Sequence, residues 1–362
     1  MFTIIIPTYE RHNVFLRSID YYKHFNCNVV IVDSSAKKFN HELPDNISYR
    51  YLPGLGCGEK IFEVAKDITT PYVCLSPDDD YLVESSLQVG ARFLDDNLDY
   101  VSVQGRYLCF ALIENQVIFS PKYSRQISHY AATSEDRFSR MVRAYNPCMA
   151  HFYAIHRTDV FIKSFQLTAD VSALRITEFV QPLVPMCYGK HKVLPILWMA
   201  RDTYTSDPIR RQRNLTETAK LGPVALNYMR FNRFVSEIEN FLDSEEGRLI
   251  KKKFGNIISE LVNNSRESDK LFDAAFKSLI KHLINDRNKV IMKIIIKSFV
   301  PTWMLKYYKT NKTLRHMGGV ETTSSAKDAL NKIRLSILTF SKYYDRQPQI
   351  PLASKPPSMY KS

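Results

Sequence analysis

Through the first eighty residues, short β-branched runs alternate with stretches of helical period, and this alternation restricts the fold more than any other feature of the chain. "FTIIIP" (Phe2 to Pro7) stops at a proline and is followed by "RHNVFLRSIDYYKHF", where Val14, Phe15, Ile19 and Tyr22 recur at helical spacing. "CNVVIVDSS" (Cys27 to Ser35) is again apolar and ends in polar turn formers. "ISYRYLP" reads as a third strand, "GEKIFEVAKDI" as a helix and "YVCLSP" as a fourth strand. Strand, helix, strand, strand, helix, strand predicts an α/β fold with a mostly parallel sheet and helices on both faces. In such sheets ligands bind outside the carboxyl ends of the strands. "PTYER", "DSS" and "PDDDY" all fall at such ends, so one site could hold all three.

The third of these segments poses a physical question. In "YVCLSPDDDYL" (Tyr72 to Leu82) three aspartates stand in a row behind a buried-looking strand, and each raises the cost of ionising its neighbours. A cation among them would relieve that cost, and Mn2+ or Mg2+ suits carboxylate oxygens while leaving positions for phosphates. The competing reading is an acidic turn capping the helix that begins near Glu84.

With 362 residues, 45% of them apolar and 24% charged, the chain has the composition of a folded globular protein with room for one large domain or two ordinary ones. "MFTIIIPTYE" lacks the basic start of a secretory signal, and no apolar run is long enough to span a membrane. The six cysteines (Cys27, Cys57, Cys74, Cys109, Cys148 and Cys187) show no metal-binding spacing and read as reduced thiols in a cytoplasmic protein. The net charge of +13 is uneven: Lys and Arg against Asp and Glu stand at 22 to 23 over residues 1–210 and 28 to 14 over residues 211–362. A neutral front half and a basic back half argue for two functional regions, the second with an anionic partner.

The ordered set "IIIPTYER", "VVIVDSS" and "DDD" near residue 80 resembles the nucleotide-sugar-binding half of the inverting GT-A glycosyltransferases, the fold that carries the DXD motif. The resemblance covers residues 1 to about 205. It implies a nucleoside-diphosphate-sugar donor and a divalent metal. By the same resemblance Pro7, Thr8, Tyr9 and Glu10 would receive the nucleobase, joined by Asp33. Asp78 and Asp79 would reach the ribose and diphosphate, and Asp80 would ligate the metal. Where the family usually has two acids after its second strand, this chain has Asp33 followed by Ser34. Gly54, Gly56 and Gly58 resemble a flexible loop near the donor, and Lys60 could face the diphosphate or simply be a solvated helix residue.

Inverting transfer needs a base that removes the acceptor hydroxyl's proton while charge is taken off the leaving phosphate. "MAHFYAIHRTDVF" (Met149 to Phe161) alternates like a strand and leads into a helix capped near Thr158. Beyond it Glu178 stands in an apolar helical stretch with Phe179, Val180, Leu183 and Val184, an expensive place for a carboxylate unless it is paired or functional. It follows Asp80 by 98 residues, which resembles the family's spacing from metal motif to base, and it is the candidate general base. A surface pairing with Arg175 is the alternative, Asp170 is the second candidate base, and His156 and His191 are candidates to approach metal or phosphate.

From about Pro208 long helical stretches take over. No acidic residue occurs between Asp286 and Glu321, and Lys289, Lys293 and Lys297 share a helical face beside Ile291, Ile294 and Ile295. Such a face suits an anionic membrane surface, or packing against the catalytic domain or a second subunit. Nucleic acid is disfavoured, since no binding motif accompanies the charge. The expected organisation is a GT-A domain over 1–207, a basic helical region over 208–340 and a flexible proline-rich tail over 341–362. The expected function is metal-dependent inverting transfer of a sugar to a glycan or lipid-linked acceptor in surface polysaccharide synthesis, by a cytoplasmic protein resting on the inner face of the membrane. Sugar nucleotidyltransferase and a non-catalytic membrane-docking scaffold are the alternatives; the first normally opens with a glycine-rich loop that "PTYERHN" lacks.

Overall fold

The computed structural model describes residues 1–113, 116–121, 130–145, 151–171, 177–178, 180–202, 240, 243, 245–278 and 323–340. The front of the chain runs β1 (Phe2–Thr8), α1 (His12–Tyr22), β2 (Asn28–Asp33), β3 (Ile47–Tyr51), α2 (Cys57–Ala65), β4 (Tyr72–Leu75), β5 (Tyr81–Leu82) and α3 (Glu84–Asp96). It continues with β6 (Tyr100–Ile113), β7 (Gln116–Pro121), β8 (Ala131–Ala132), α4 (Arg137–Tyr145), β9 (Ile155–Arg157), α5 (Thr158–Gln166), α6 (Leu183–Tyr188) and β10 (Lys190–Asp202). Two later helices, α7 (Glu245–Val262) and α8 (Ser324–Thr339), complete these elements.

The strands form one mixed sheet in the order β3-β2-β1-β4-β9-β6-β10-β5, with β7 beside β6 and β8 beside β10. β3, β2, β1 and β4 are mutually parallel, as are β6 and β10, while the three-residue β9 runs antiparallel between β4 and β6. The alternation of β1 explains its place: Ile4 and Ile6 face the core shared with Phe15, Leu87 and Trp198, whereas Ile5 faces the core made with Ile61, Val64, Phe161 and Phe165. Helices therefore cover both faces, as expected for strands with no polar side. Strand order reverses between β1 and β4, because β1 leads outward to β2 and β3 before α2 carries the chain back to β4. A crevice forms at the carboxyl ends of strands at such a reversal.

One expectation is corrected here. Of the strand expected from Met149 up to the helix near Thr158, the described residues show only Ile155–Arg157 as strand; His151 to Ala154 make a turn that sends Phe152 into the α2–α5 core. α5 begins at Thr158 as expected, with Arg157 as its cap residue, and the Thr158 hydroxyl donates to the Thr70 carbonyl at 2.7 Å.

In the back half, α7 packs Phe254, Ile257 and Ile258 on Met141, Leu183 and Val184 in a separate cluster. α8 joins the first core through Ala326, Leu330, Ile333 and Ile337, and its Ser336 hydroxyl meets the Tyr81 hydroxyl at 3.4 Å. The boundary expected at 207/208, the lysines Lys289, Lys293 and Lys297, Arg175, Cys148 and the tail over 341–362 lie outside the described residues. Among the described residues no helix is long and apolar enough to cross a membrane. Cys27, Cys57, Cys74, Cys109 and Cys187 are free thiols.

Candidate active site

The three aspartates sit in the crevice between β1 and β4, and the structure shows what balances them. β10 runs antiparallel to β5 with Met199 opposite Leu82 and Ala200 opposite Tyr81, which carries Arg201 and Asp202 up to Asp80. Asp80 accepts from Arg201 Nε at 2.9 Å through one oxygen and from the Asp202 backbone amide at 2.8 Å through the other. Asp78 accepts from the Thr8 hydroxyl at 2.8 Å and from Arg11 at 2.7 Å, and the other terminal nitrogen of Arg11 reaches Asp79 at 2.7 Å. The buried Arg17 donates to the Asp79 carbonyl, lies 3.4 Å from Asp202 and stacks over Tyr81. The acidic turn is thus tied to α1 and β10. It is not the cap of α3, whose cap residue is Val83.

Burial still leaves these carboxylates costly. It raises Asp80 to about 7 in spite of Arg201, with Asp79 adding to the rise. Asp78 is raised to about 6 by burial and by Asp79, against the pull of Arg11 and Thr8. A carboxylate whose pKa is higher folded than unfolded destabilises the fold once pH rises through its folded value. Asp78→Asn keeps both hydrogen bonds, because the Thr8 hydroxyl can turn and accept while the amide oxygen still receives Arg11. The variant should therefore be more stable than the parent by about 2 kcal/mol at pH 8, with the difference vanishing as pH falls towards 4. Urea unfolding at both pH values checks this; an equal effect at both would show that the charge of Asp78 costs nothing.

The other expected donor residues fall into two groups. Pro7, Thr8, Tyr9 and Glu10 do lie at the end of β1; Tyr9 is exposed, and Glu10 adopts a left-handed φ of 52°. That backbone strain is held by bonds from the Glu10 amide to the Ser35 hydroxyl (2.7 Å) and from the Ala36 amide to the Glu10 carboxylate (2.6 Å). Asp33 and Lys60 turn inward instead. Asp33 is fully buried and accepts from the Ser35 amide and hydroxyl, from the Tyr49 hydroxyl and from His12 Nε2 at 2.5–2.8 Å. Burial pulls its pKa up, but those bonds outweigh it and leave Asp33 below the ordinary carboxylate range. Lys60 is buried, with its pKa lowered by desolvation, and its ammonium donates to the Thr8 carbonyl at 2.5 Å and the Ser34 hydroxyl at 3.0 Å. It is a brace between β1 and β2, not a solvated helix residue.

The glycine-rich segment is structured rather than loose. Gly54 takes a left-handed φ of 80°, Gly56 caps α2, and a Cβ at Gly58 would meet the Thr168 carbonyl at 2.6 Å. This close approach seats α2 against the segment leading to Glu178. Glu178 is half-buried in helical backbone. Its charge reaches the Cys57 thiol together with that of Asp78, and the Tyr153 phenol together with those of Asp80 and Asp79. Residues 98 apart in sequence therefore share one electrostatic neighbourhood. Asp170 is exposed and pairs with Lys253 of α7. His191 is buried at the amino end of β10, bonded to Ser102 at 2.8 Å and stacked on His151 at 4.0 Å. Burial lowers His156 to about 4, and its Nε2 lies 3.1 Å from the His151 carbonyl. These histidines are packed core groups held neutral.

Among the described residues no cluster of three or more His, Cys, Asp or Glu side chains is arranged to hold a metal. Magnesium commonly takes one or two carboxylates and draws its other ligands from phosphates and water. Asp80, buried and charged at a cost even beside Arg201, is the carboxylate that would suit that role, and would give up its Arg201 contact to the ion.

Reading the sequence alone missed Arg11, His12, Tyr49, Arg201 and Asp202. The available signal was position: Arg11 and His12 follow "PTYE", and "RD" ends the apolar run "VLPILWMA".

No protein-family model matches the chain, and neither does any curated protein. Among solved structures, residues 1–349 of S. aureus TarS are 12% identical with a TM-score of 0.49, over 95% of this chain and 91% of that one. The same segment in complex with UDP is 13% identical at a TM-score of 0.47, and in complex with UDP-GlcNAc 14% identical at 0.39, each over the same shares of the two chains.

Proposed function

We propose that the protein is a glycosyltransferase that takes a sugar from a nucleoside-diphosphate donor with inversion. What supports this reading is the meeting of an exposed aromatic end of β1 with an acidic turn laced with arginines, together with the charge of Glu178, felt at Cys57 and Tyr153 alongside those of Asp78, Asp79 and Asp80. Tyr9 and Glu10 form the nucleobase end, braced through Ser35 by the buried Asp33. Asp78 and Asp79 lie towards the ribose and diphosphate. Asp80 would hold a divalent ion, which when bound would take charge off the leaving diphosphate. Glu178 would accept the proton of the attacking hydroxyl. For the acceptor we assign a glycan or lipid-linked glycan of surface polysaccharide synthesis, met at an anionic membrane face, on the strength of the acid-free lysine segment around Lys293.

A panel of nucleotide sugars tested for thermal stabilisation in the presence of Mn2+ or Mg2+ examines the reading. One donor class should raise the melting temperature, since a ligand that binds only the folded state stabilises it. No shift with any of them would favour a scaffold that has lost its donor site.

A further inference from the structure

We propose that Arg11 is the phosphate-binding cation of this crevice, a role resting on the nucleotide-sugar reading above. Lys60, the cation expected to face the diphosphate, is committed to the Thr8 carbonyl and the Ser34 hydroxyl and is buried. Arg11 stands differently. Its side chain is 34% exposed, whereas those of the two carboxylates it bridges are 5% and 13% exposed. The guanidinium is thus more open to solvent than either carboxylate it bridges, and an incoming polyanion can reach it more readily than the aspartates.

Its geometry suits an exchange. One terminal nitrogen serves Asp78 and the other serves Asp79, so the planar fork is split between two partners and not closed on either. A guanidinium prefers a bidentate pair with one carboxylate or one phosphate. A diphosphate oxygen replacing Asp79 would leave the Asp78 bond in place and keep the cation at the same spot. The same charge that lowers the cost of Asp78 at rest would then offset the repulsion between the donor's phosphates and the turn beneath. Without Arg11 a diphosphate would approach Asp78 and Asp79 with their shared cation removed. The nucleoside part of the ligand, lodged at Tyr9 and Glu10, would feel little of this.

The test compares each nucleoside with its diphosphate, uridine with UDP and guanosine with GDP among them, by calorimetry at fixed magnesium. The parent should bind one diphosphate far more tightly than the matching nucleoside. In Arg11→Ala the diphosphate should weaken about 10- to 100-fold while the nucleoside changes less than threefold, and Arg11→Lys should recover part of the loss. A general structural role would weaken both ligands together, and a diphosphate preference that survives in Arg11→Ala would overturn the proposal alone. If the parent binds no nucleoside diphosphate, the donor reading falls and this role with it. Melting temperatures of both variants, with Arg11→Lys retaining the charge, separate loss of contact from loss of fold.

Discussion

Glu178→Gln is expected to lower turnover by about 10² to 10⁴ while leaving donor affinity close to the parent's. The amide keeps the size of the side chain, so α2, the Thr168 approach and the neighbourhood of Cys57 and Tyr153 should be undisturbed. What it loses is the ability to take a proton from the acceptor hydroxyl. A base that acts on the acceptor contributes nothing to holding the donor, so binding and chemistry should come apart. Steady-state kinetics beside donor titration measures both. Single displacement assisted by one base also inverts the anomeric centre, which NMR of the product reads directly. Normal turnover in the variant would remove Glu178 as the base, and Asp170 could not simply replace it, since it is exposed and paired with Lys253.

Asp80→Ala is expected to reduce transfer by about 10³-fold or more, because the charge on a leaving diphosphate would go unmet. The fold should survive. Burial holds Asp80 near 7, so at neutral pH its carboxylate costs the folded state free energy rather than supplying it. Its removal leaves Arg201, which is 27% exposed and lies over the Tyr153 ring, able to turn to water. Excess chelator should reproduce the loss in the parent and do nothing further to the variant. Full activity in chelator would leave Asp80 as a partner of Arg201 only and shift the charge work to the arginines.

The elements that were legible in the sequence are those whose signal is local. β1, β2 and β4 show apolar runs with no polar side because both faces are covered, and α1 and α2 show the three- and four-residue spacing of one buried stripe. β9 was over-read because alternation over Phe152, Ala154 and His156 is equally served by a turn that buries Phe152 before three residues of strand. The site was legible as far as chain order reaches: "PTYER" and "DDD" sit at strand ends, and Thr8 bonds to Asp78 as their shared crevice requires. Its arginine partners were not legible, because the pairing of Arg201 with Asp80 depends on the antiparallel register of β10 on β5, across 121 residues. The inward turn of Asp33 and Lys60 was hidden for the same reason: their partners Tyr49, Thr8 and Ser34 come from other elements.

The central claim is that this crevice cleaves a nucleotide sugar, and the release of free nucleoside diphosphate tests it most directly. Incubated with metal and a panel of nucleoside-diphosphate sugars, the parent should release nucleoside diphosphate from one donor class, slowly to water and faster once an acceptor is present. Asp80→Ala, with a cooperative melting transition showing that it is folded, should release none above background. Release from no donor, or equal release by the parent and Asp80→Ala, would contradict the account.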